Sequence, residues 1–346
     1  MQNRMAQLTA IGKIEMADCP MPVAKTGEVV VRIEYCGICG SDSHFYQFGS
    51  IGKKTAPFPF ILGHECSGVV TEVGEGVSTL HLGDRVALEP GVPCGCCEMC
   101  RTGRYNLCPD VHFLAAPPYD GALRRYMAHP ANMCYLLPEN MSFQEGALLE
   151  PLAVGMHAAT RGEISLGKTV CILGSGTIGI MTLLSCKALG ASTVIVADLL
   201  PKRLESAVHY GASRGVNSKE EDLEAVVMEM TGGVGCDVVF ETAGSSFTMV
   251  DTWKYAKRGG KIVVVGNITK DTPYPFLEIS RKEVDIRPVF RYCNNYPLMI
   301  EAVSSGRICL DGIVSREFPF DESDKAFRYT QENARDIIKT LIHVSE

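Results

Sequence analysis

The sequence lacks any apolar run long enough to cross a membrane. No stretch reaches about 18 consecutive apolar residues, which is the length that a membrane-spanning helix needs. Residues 1–15 also lack an apolar core of signal-peptide length. No internal repeat or low-complexity stretch is present. These absences predict a globular cytoplasmic protein that has no membrane partner.

A long basic run is absent as well. The 33 Lys and Arg residues are outnumbered by 40 Asp and Glu residues, which gives a formal charge of −7. Such a balance argues against a protein that binds the phosphate backbone of nucleic acids. The length of 346 residues, with 46% hydrophobic and 21% charged residues, predicts a soluble globular chain of two domains.

The chain changes character near Gly155. Before this point, short β-like runs separated by Gly and Pro predict a largely antiparallel β domain. After it, apolar runs alternate with helical patterns, which predicts βαβ units around a parallel sheet. The predicted strands are Val29–Tyr35, Ser67–Val73 and Arg85–Glu89 in the first part, and Thr169–Leu173, Thr193–Ala197, Val238–Phe240 and Lys261–Val265 in the second, where Ile178–Leu189 is a predicted helix. The predicted domains are 1–154 with 286–346, and 155–285.

A glycine-rich loop follows the run Thr169–Leu173. Gly174, Gly176 and Gly179 form G-x-G-x-x-G between a predicted strand and a predicted helix, the arrangement that binds a pyrophosphate at a helix N-terminus. Asp198 ends the next apolar run, near the offset expected for the acid that binds the ribose hydroxyls. A carboxylate would repel a 2′-phosphate, so NAD is expected rather than NADP. Arg203 is expected to pack near the adenine or to pair with this acid.

Four cysteines within 15 residues form a second motif. Cys94, Cys97, Cys100 and Cys108 can close the tetrahedral shell of a structural zinc ion. Cys96 competes with Cys97 as a ligand, and the even two-residue spacing favours Cys97. A redox or disulfide cluster is the alternative. Zinc is the favoured interpretation, because the protein is expected to be cytoplasmic.

A dispersed set offers sulfur, nitrogen and oxygen ligands. Cys39, His64, Glu65 and Glu150 supply what a catalytic zinc ion requires, with either glutamate as the direct ligand. Cys36 follows a β-like run and is expected to be a core thiol.

The order of these motifs resembles the zinc-containing medium-chain dehydrogenases over nearly the whole chain, and within them the sorbitol dehydrogenases. The stretches that carry the resemblance are 119–123, 145–152 and 290–297. The resemblance implies a GroES-like β domain that carries the zinc sites and a Rossmann domain with a doubly wound parallel sheet. It also implies an active site between the two domains, two zinc ions per chain, NAD, and a homo-oligomer, often a tetramer.

The resemblance further suggests roles for single residues. Ser41 and the ribose would pass the alcohol proton to His44, with Glu65 or Glu150 as the alternative base. Phe45, where animal members carry Tyr, would line the substrate site, and the structural-zinc cysteines that some of them lack are complete here. Arg291 and Tyr292 would bind substrate hydroxyls, unless Arg291 makes only a domain-interface ion pair. The remaining expected cofactor contacts are Ile178, Val265 and Phe290, together with Arg291.

A polyol oxidised to a ketose is the expected reaction. Threonine and vicinal diols are the alternatives that use the same zinc and NAD chemistry. A zinc-ribbon nucleic-acid-binding protein is opposed by the charge of −7, and an inactive homologue by the complete dispersed ligand set.

Overall fold

The computed structural model describes residues 2–345 and divides the chain into two compact units. The first contains residues 1–150 and 296–346, and the second contains residues 151–295. Within residues 2–345, no helix has the length and apolar character required to span a membrane.

The first unit is built mainly on antiparallel strands, and its last two strands, β19 and β20, pair in parallel. Seven of them form one sheet in the order β12-β8-β7-β3-β20-β19, with β11 also paired to β3. Three more strands form a sheet in the order β2-β1-β6, and β4-β5 and β9-β10 are two-stranded. The strands are β1 Asn3–Ala10, β2 Lys13–Cys19, β3 Glu28–Gly37, β4 Ser50–Ile51, β5 Lys54–Thr55, β6 Phe60–Ile61, β7 Glu65–Val73, β8 Arg85–Leu88, β9 Gly91–Val92, β10 His112–Phe113, β11 Tyr126–Pro130, β12 Cys134–Leu136, β19 Val314–Pro319 and β20 Lys339–His343.

Short helices connect these strands. They are α1 Gly40–Phe48, α2 Glu98–Arg101, α9 Tyr296–Ser304 and α10 Ser323–Glu332, with 3-10 turns at Tyr105–Leu107, Ala131–Met133 and Phe320–Glu322. Leu8, Ile33 and Phe60 are among the buried side chains that form the core of this unit. The helix α3 Phe143–Arg161 contains the point at which the two units divide.

The second unit is an α/β fold with six parallel strands in the order β15-β14-β13-β16-β17-β18. The strand order reverses direction between β13 and β16, which is the topological switch point of a doubly wound sheet. Its elements are β13 Thr169–Leu173, α4 Thr177–Ala188, β14 Thr193–Asp198, α5 Pro201–His209, β15 Arg214–Asn217, α6 Leu223–Met230, β16 Cys236–Glu241, α7 Ser246–Tyr255, β17 Ala256–Val264, α8 Phe276–Lys282 and β18 Asp285–Pro288.

All seven strands predicted from the sequence are present, and the helix predicted at 178–189 is α4. The expected domain limits at 154 and 286 differ from the division at 150 and 295. A limit at residue 286 would cut through β18, whose Ile286 pairs with Ile262 of β17. This strand shows no apolar run, because only Ile286 among its four residues is a large hydrophobic residue.

Candidate functional site

Cys39 lies directly before α1, where β3 leads into the helix. Its backbone N–H donates to Asp42 Oδ2 at 3.1 Å, which closes the first turn. The N-terminus of a helix carries a partial positive charge that favours an anionic group there. The local fold therefore presents the Cys39 sulfur in surroundings suited to a thiolate ligand.

Glu65 is the first residue of β7, and His64 directly precedes it. Both are buried, and the His64 ring lies against the ring of Phe113 with the centroids 5.6 Å apart. Asp42 Oδ1 accepts the Gly63 N–H at 3.1 Å and lies 3.5 Å from His64 Nδ1. The fully buried Asp42 thus holds the backbone beside His64 and approaches its ring. The sequence analysis did not assign Asp42, and its only signal is its position in the same helical turn as Cys39.

Ligand atoms of Cys39, His64 and Glu65 all lie within 4.8 Å of one another. Among residues 2–345, this group does not extend to Glu150, although Glu150 is also buried. Cys36 is outside the group as well, and burial raises the pKa of its thiol well above the ordinary value. Cys36 is therefore a core thiol, as expected.

Lys339, at the start of β20, forms a buried ion pair with Glu65. Its Nζ lies 2.7 Å from each carboxylate oxygen and donates a further hydrogen bond to the Ile38 carbonyl at 3.2 Å. Burial lowers the pKa of Lys339, but the charges of Glu65, Cys39 and Glu150 and the hydrogen bond to Glu65 together outweigh it, so the net pKa is raised. Sequence reasoning missed this residue, because 274 positions separate it from Glu65.

The chemistry of this group fits a zinc ion. Sulfur, imidazole nitrogen and carboxylate oxygen are the donors that zinc accepts in catalytic sites. The carboxyl groups of Asp42, Glu65 and Glu150 are buried in the same unit and outnumber Lys339, the one buried lysine among residues 2–345. Buried charges are usually paired or bind metal ions, so this excess of acidic groups favours a bound cation.

The four-cysteine lobe forms a second group. Ligand atoms of Cys94, Cys97, Cys100 and Cys108 all lie within 4.8 Å of one another, and four thiolates suit a structural zinc ion. The group includes Cys97 and not Cys96. Tyr105, between Cys100 and Cys108, donates its hydroxyl hydrogen bond at 2.8 Å to the buried Glu89, which directly follows β8.

The glycine-rich loop is shaped by close contacts within the second unit. Gly174 has φ +98°, and a Cβ at Gly179 would lie 2.0 Å from the Gly174 carbonyl oxygen. A Cβ at Gly176 would meet only the Arg203 side chain at 3.7 Å. Since packing within the chain does not demand a glycine at 176, the open space above it fits the close approach of a pyrophosphate.

Asp198 ends β14 and faces this loop. Its Oδ2 accepts from the Ser175 N–H at 2.8 Å and from the Ser175 hydroxyl at 3.0 Å. Its Oδ1 accepts from the backbone N–H groups of Leu199 and Leu200. Arg203 Nη1 lies 3.9 Å from Asp198 Oδ2, so Arg203 pairs with the acid. These contacts hold the carboxylate beside the Gly-rich loop.

Ser41 and His44 both lie in α1, three residues apart and therefore on one helix face. His44 is exposed, and its Nδ1 is 2.8 Å from the Ser50 carbonyl oxygen. A carbonyl only accepts, so Nδ1 carries a proton, and Nε2 of the neutral ring is left as an acceptor. Phe45 is buried and packs edge-on against Phe60 with the ring centroids 6.0 Å apart, which makes it chiefly a core residue.

The other expected contacts lie in the second unit, including Arg291 and Tyr292, which had been assigned to the first domain. The Arg291 guanidinium stacks over the exposed Phe290 ring at 4.9 Å, and Tyr292 is buried. Ile178 lies in the first turn of α4, and Val265 directly follows β17.

A β-rich unit with a thiolate, imidazole and carboxylate group, and a doubly wound unit with a dinucleotide loop, together define a zinc-type dehydrogenase. The alcohol dehydrogenase GroES-like domain family matches residues 25–139, and the zinc-binding dehydrogenase family matches residues 177–305.

Relatives that match over nearly the whole chain support the same family. An uncharacterised zinc-type alcohol dehydrogenase-like protein of Escherichia coli is 46% identical over all of both chains. Sorbitol dehydrogenase of Bacillus subtilis is 40% identical over 96% of this chain and 94% of that protein. The structure of Escherichia coli L-idonate 5-dehydrogenase matches with a TM-score of 0.92 at 29% identity, over 99% of this chain and 98% of that one. The chain belongs to the zinc-type medium-chain alcohol dehydrogenases, which confirms the family resemblance and the fold class.

Proposed function

We propose that the protein oxidises a polyol of the sorbitol or xylitol type to a ketose, reversibly, at a secondary carbon next to a primary alcohol. The close group of Cys39, His64 and Glu65 carries the proposal, because it supplies a zinc site for an alcohol oxygen. The similarity to sorbitol dehydrogenase favours a polyol over threonine or a vicinal diol.

Zinc, when bound, would supply a Lewis acid that lowers the pKa of the alcohol, and NAD, when bound, would accept the hydride. The chain's own residues must hold the substrate and remove its proton. Ser41 and the free Nε2 of His44 share one helix face and suit a proton path to solvent. Glu65 is a poorer base, because both its oxygens already accept from Lys339 and turning away would break a buried ion pair.

The substrate proposal is tested with a panel of sorbitol, xylitol, threonine, 2,3-butanediol and 2-butanol, with NADH formation as the readout. A polar pocket rejects substrates that leave its buried groups unpaired. We therefore expect Arg291→Ala to cut kcat/KM for sorbitol by about ten-fold or more and to leave 2-butanol nearly unchanged.

Arg287→Ala is the matched control, because Arg287 pairs with the exposed Glu163 and Asp285. It should affect neither substrate. Equal losses on both substrates in Arg291→Ala would indicate an interface role. The absence of polyol turnover by the wild type would refute the substrate proposal.

We also propose two zinc ions per chain, a preference for NAD over NADP, and a homo-oligomer such as a tetramer. Metal analysis of dialysed protein tests the zinc count. Cys100→Ser should lose one ion and stability, whereas Cys39→Ser should lose the other ion and activity while remaining folded.

Light scattering during gel filtration tests the proposed homo-oligomer, and a monomeric mass would refute it.

A further inference from the structure

The four-cysteine lobe contains a fifth thiol that the metal group does not use. Cys96 is exposed, whereas the four cysteines of the group are half-buried or buried. Its sulfur lies 3.8 Å from the sulfur of Cys94. The sulfurs of Cys94 and Cys100, both in the group, are 3.9 Å apart. The Cys96 sulfur therefore lies as close to Cys94 as the sulfur of Cys100 does.

The backbone produces this contact. Gly95 lies between the two cysteines with φ +72°, a left-handed conformation that favours glycine, and nothing lies within 4 Å of the Cβ it lacks. The resulting turn brings the sulfurs of Cys94 and Cys96 together at the surface of the lobe. A peroxide can reach Cys96 from solvent, and a sulfur partner is already in contact.

We propose that Cys96 is an oxidation site that, with a peroxide as co-reactant, forms a disulfide with Cys94 and removes a ligand from the lobe's metal site. The Cys96 sulfur attacks one peroxide oxygen, the O–O bond breaks, and a sulfenic acid and water form. The Cys94 thiolate then attacks the sulfenic sulfur, and hydroxide leaves and takes up a proton from solvent to form a second water. The two cysteine sulfurs lose two electrons in total, and one peroxide gains them.

The consequence is loss of the lobe's metal ion, because three thiolates remain where four closed the shell. The inference rests on the proposed structural zinc site. Loss of the ion would also weaken the hydrogen bond between Tyr105 and Glu89, because Tyr105 lies between the ligands Cys100 and Cys108.

The test uses full-length, zinc-loaded protein treated with hydrogen peroxide. Zinc release is followed with a chromogenic chelator, and linked or oxidised cysteines are located by peptide mass mapping. Wild type, Cys96→Ser and Cys309→Ser are compared, because Cys309 is the other exposed cysteine in the described part of the chain. A Cys39→Ser background removes release from the proposed catalytic site.

We expect wild type and Cys309→Ser to release the lobe's zinc with a Cys94–Cys96 linked peptide, and thiol plus zinc to reverse both changes. Cys96→Ser should release the lobe's zinc more slowly than the wild type by a factor of about ten or greater. Equal release from Cys96→Ser, or a sulfinic acid at Cys96 with zinc retained, would overturn the proposal. A lobe that holds no zinc before oxidation would refute the structural zinc site itself, while the linked peptide would still report on the disulfide.

Discussion

Replacing Lys339 with Met removes the cation of a buried ion pair. The side chains of Lys339 and Glu65 are only 3% and 1% exposed. Lys339→Met would leave the Glu65 carboxylate buried without the two hydrogen bonds of 2.7 Å that it now accepts. Breaking a buried pair by removing one partner costs about 3–5 kcal/mol, so we expect a loss of that size in the free energy of unfolding.

Neutralising both partners should recover much of this loss. Replacing a whole buried pair with uncharged groups is often nearly neutral. The Ile38 carbonyl would still lose the hydrogen bond from Lys339, which is worth about 1 kcal/mol. The double variant Lys339→Met with Glu65→Gln should therefore be clearly more stable than Lys339→Met alone.

The assay is urea unfolding followed by circular dichroism on proteins stripped of metal to the same measured content, since a metal ion would add its own charge beside Glu65. The lone tryptophan, Trp253, lies in the second unit and is a poor reporter for this pair. Lys325→Met is the control, because its pair with Glu322 is largely exposed and should cost about 1 kcal/mol or less. The reasoning fails if Lys339→Met costs no more than Lys325→Met, or if the two pair substitutions are simply additive.

Three further outcomes are expected. Burial lowers the pKa of His129 to about 4. The stability that the neutral ring contributes is therefore fully present above pH 6.5, and the free energy of unfolding falls by about 3 kcal/mol as the pH drops to 4. His129→Gln should make the free energy of unfolding less dependent on pH across that range. Asp198→Ala should lower the NAD-to-NADP ratio of kcat/KM by about ten-fold, whereas Ser175→Ala should change it little, and a wild type that prefers NADP would contradict this assignment. Asp42→Ala should weaken zinc binding about 10–100-fold in a chelator competition, and unchanged affinity would show that Asp42 does not position His64.

The sequence alone predicted those strands and motifs whose residues lie close together along the chain. Strands such as β13 appear as apolar runs, and the spacing of the glycines and of the lobe cysteines reflects contacts between near neighbours. Gly179 illustrates this, because the atom that a Cβ there would strike belongs to Gly174, only five positions earlier.

Contacts between distant segments were not predictable in the same way. Lys339 and Asp42 are single charged residues with no recurring spacing, and nothing local distinguishes them from surface charges. Their burial follows only from the sheet order that places β3 between β7 and β20. The edge strand β18 was missed because three of its four residues are exposed and it carries no apolar run.

The same sheet order explains why the metal group forms where it does. Gly37, the last residue of β3, pairs with Glu65 of β7 on one side and with Leu341 of β20 on the other. A Cβ at Gly37 would lie 2.1 Å from a Glu65 carboxylate oxygen, so only glycine leaves space for that side chain. The end of one central strand thus places Glu65 within reach of Lys339 and leads directly into the turn that presents Cys39.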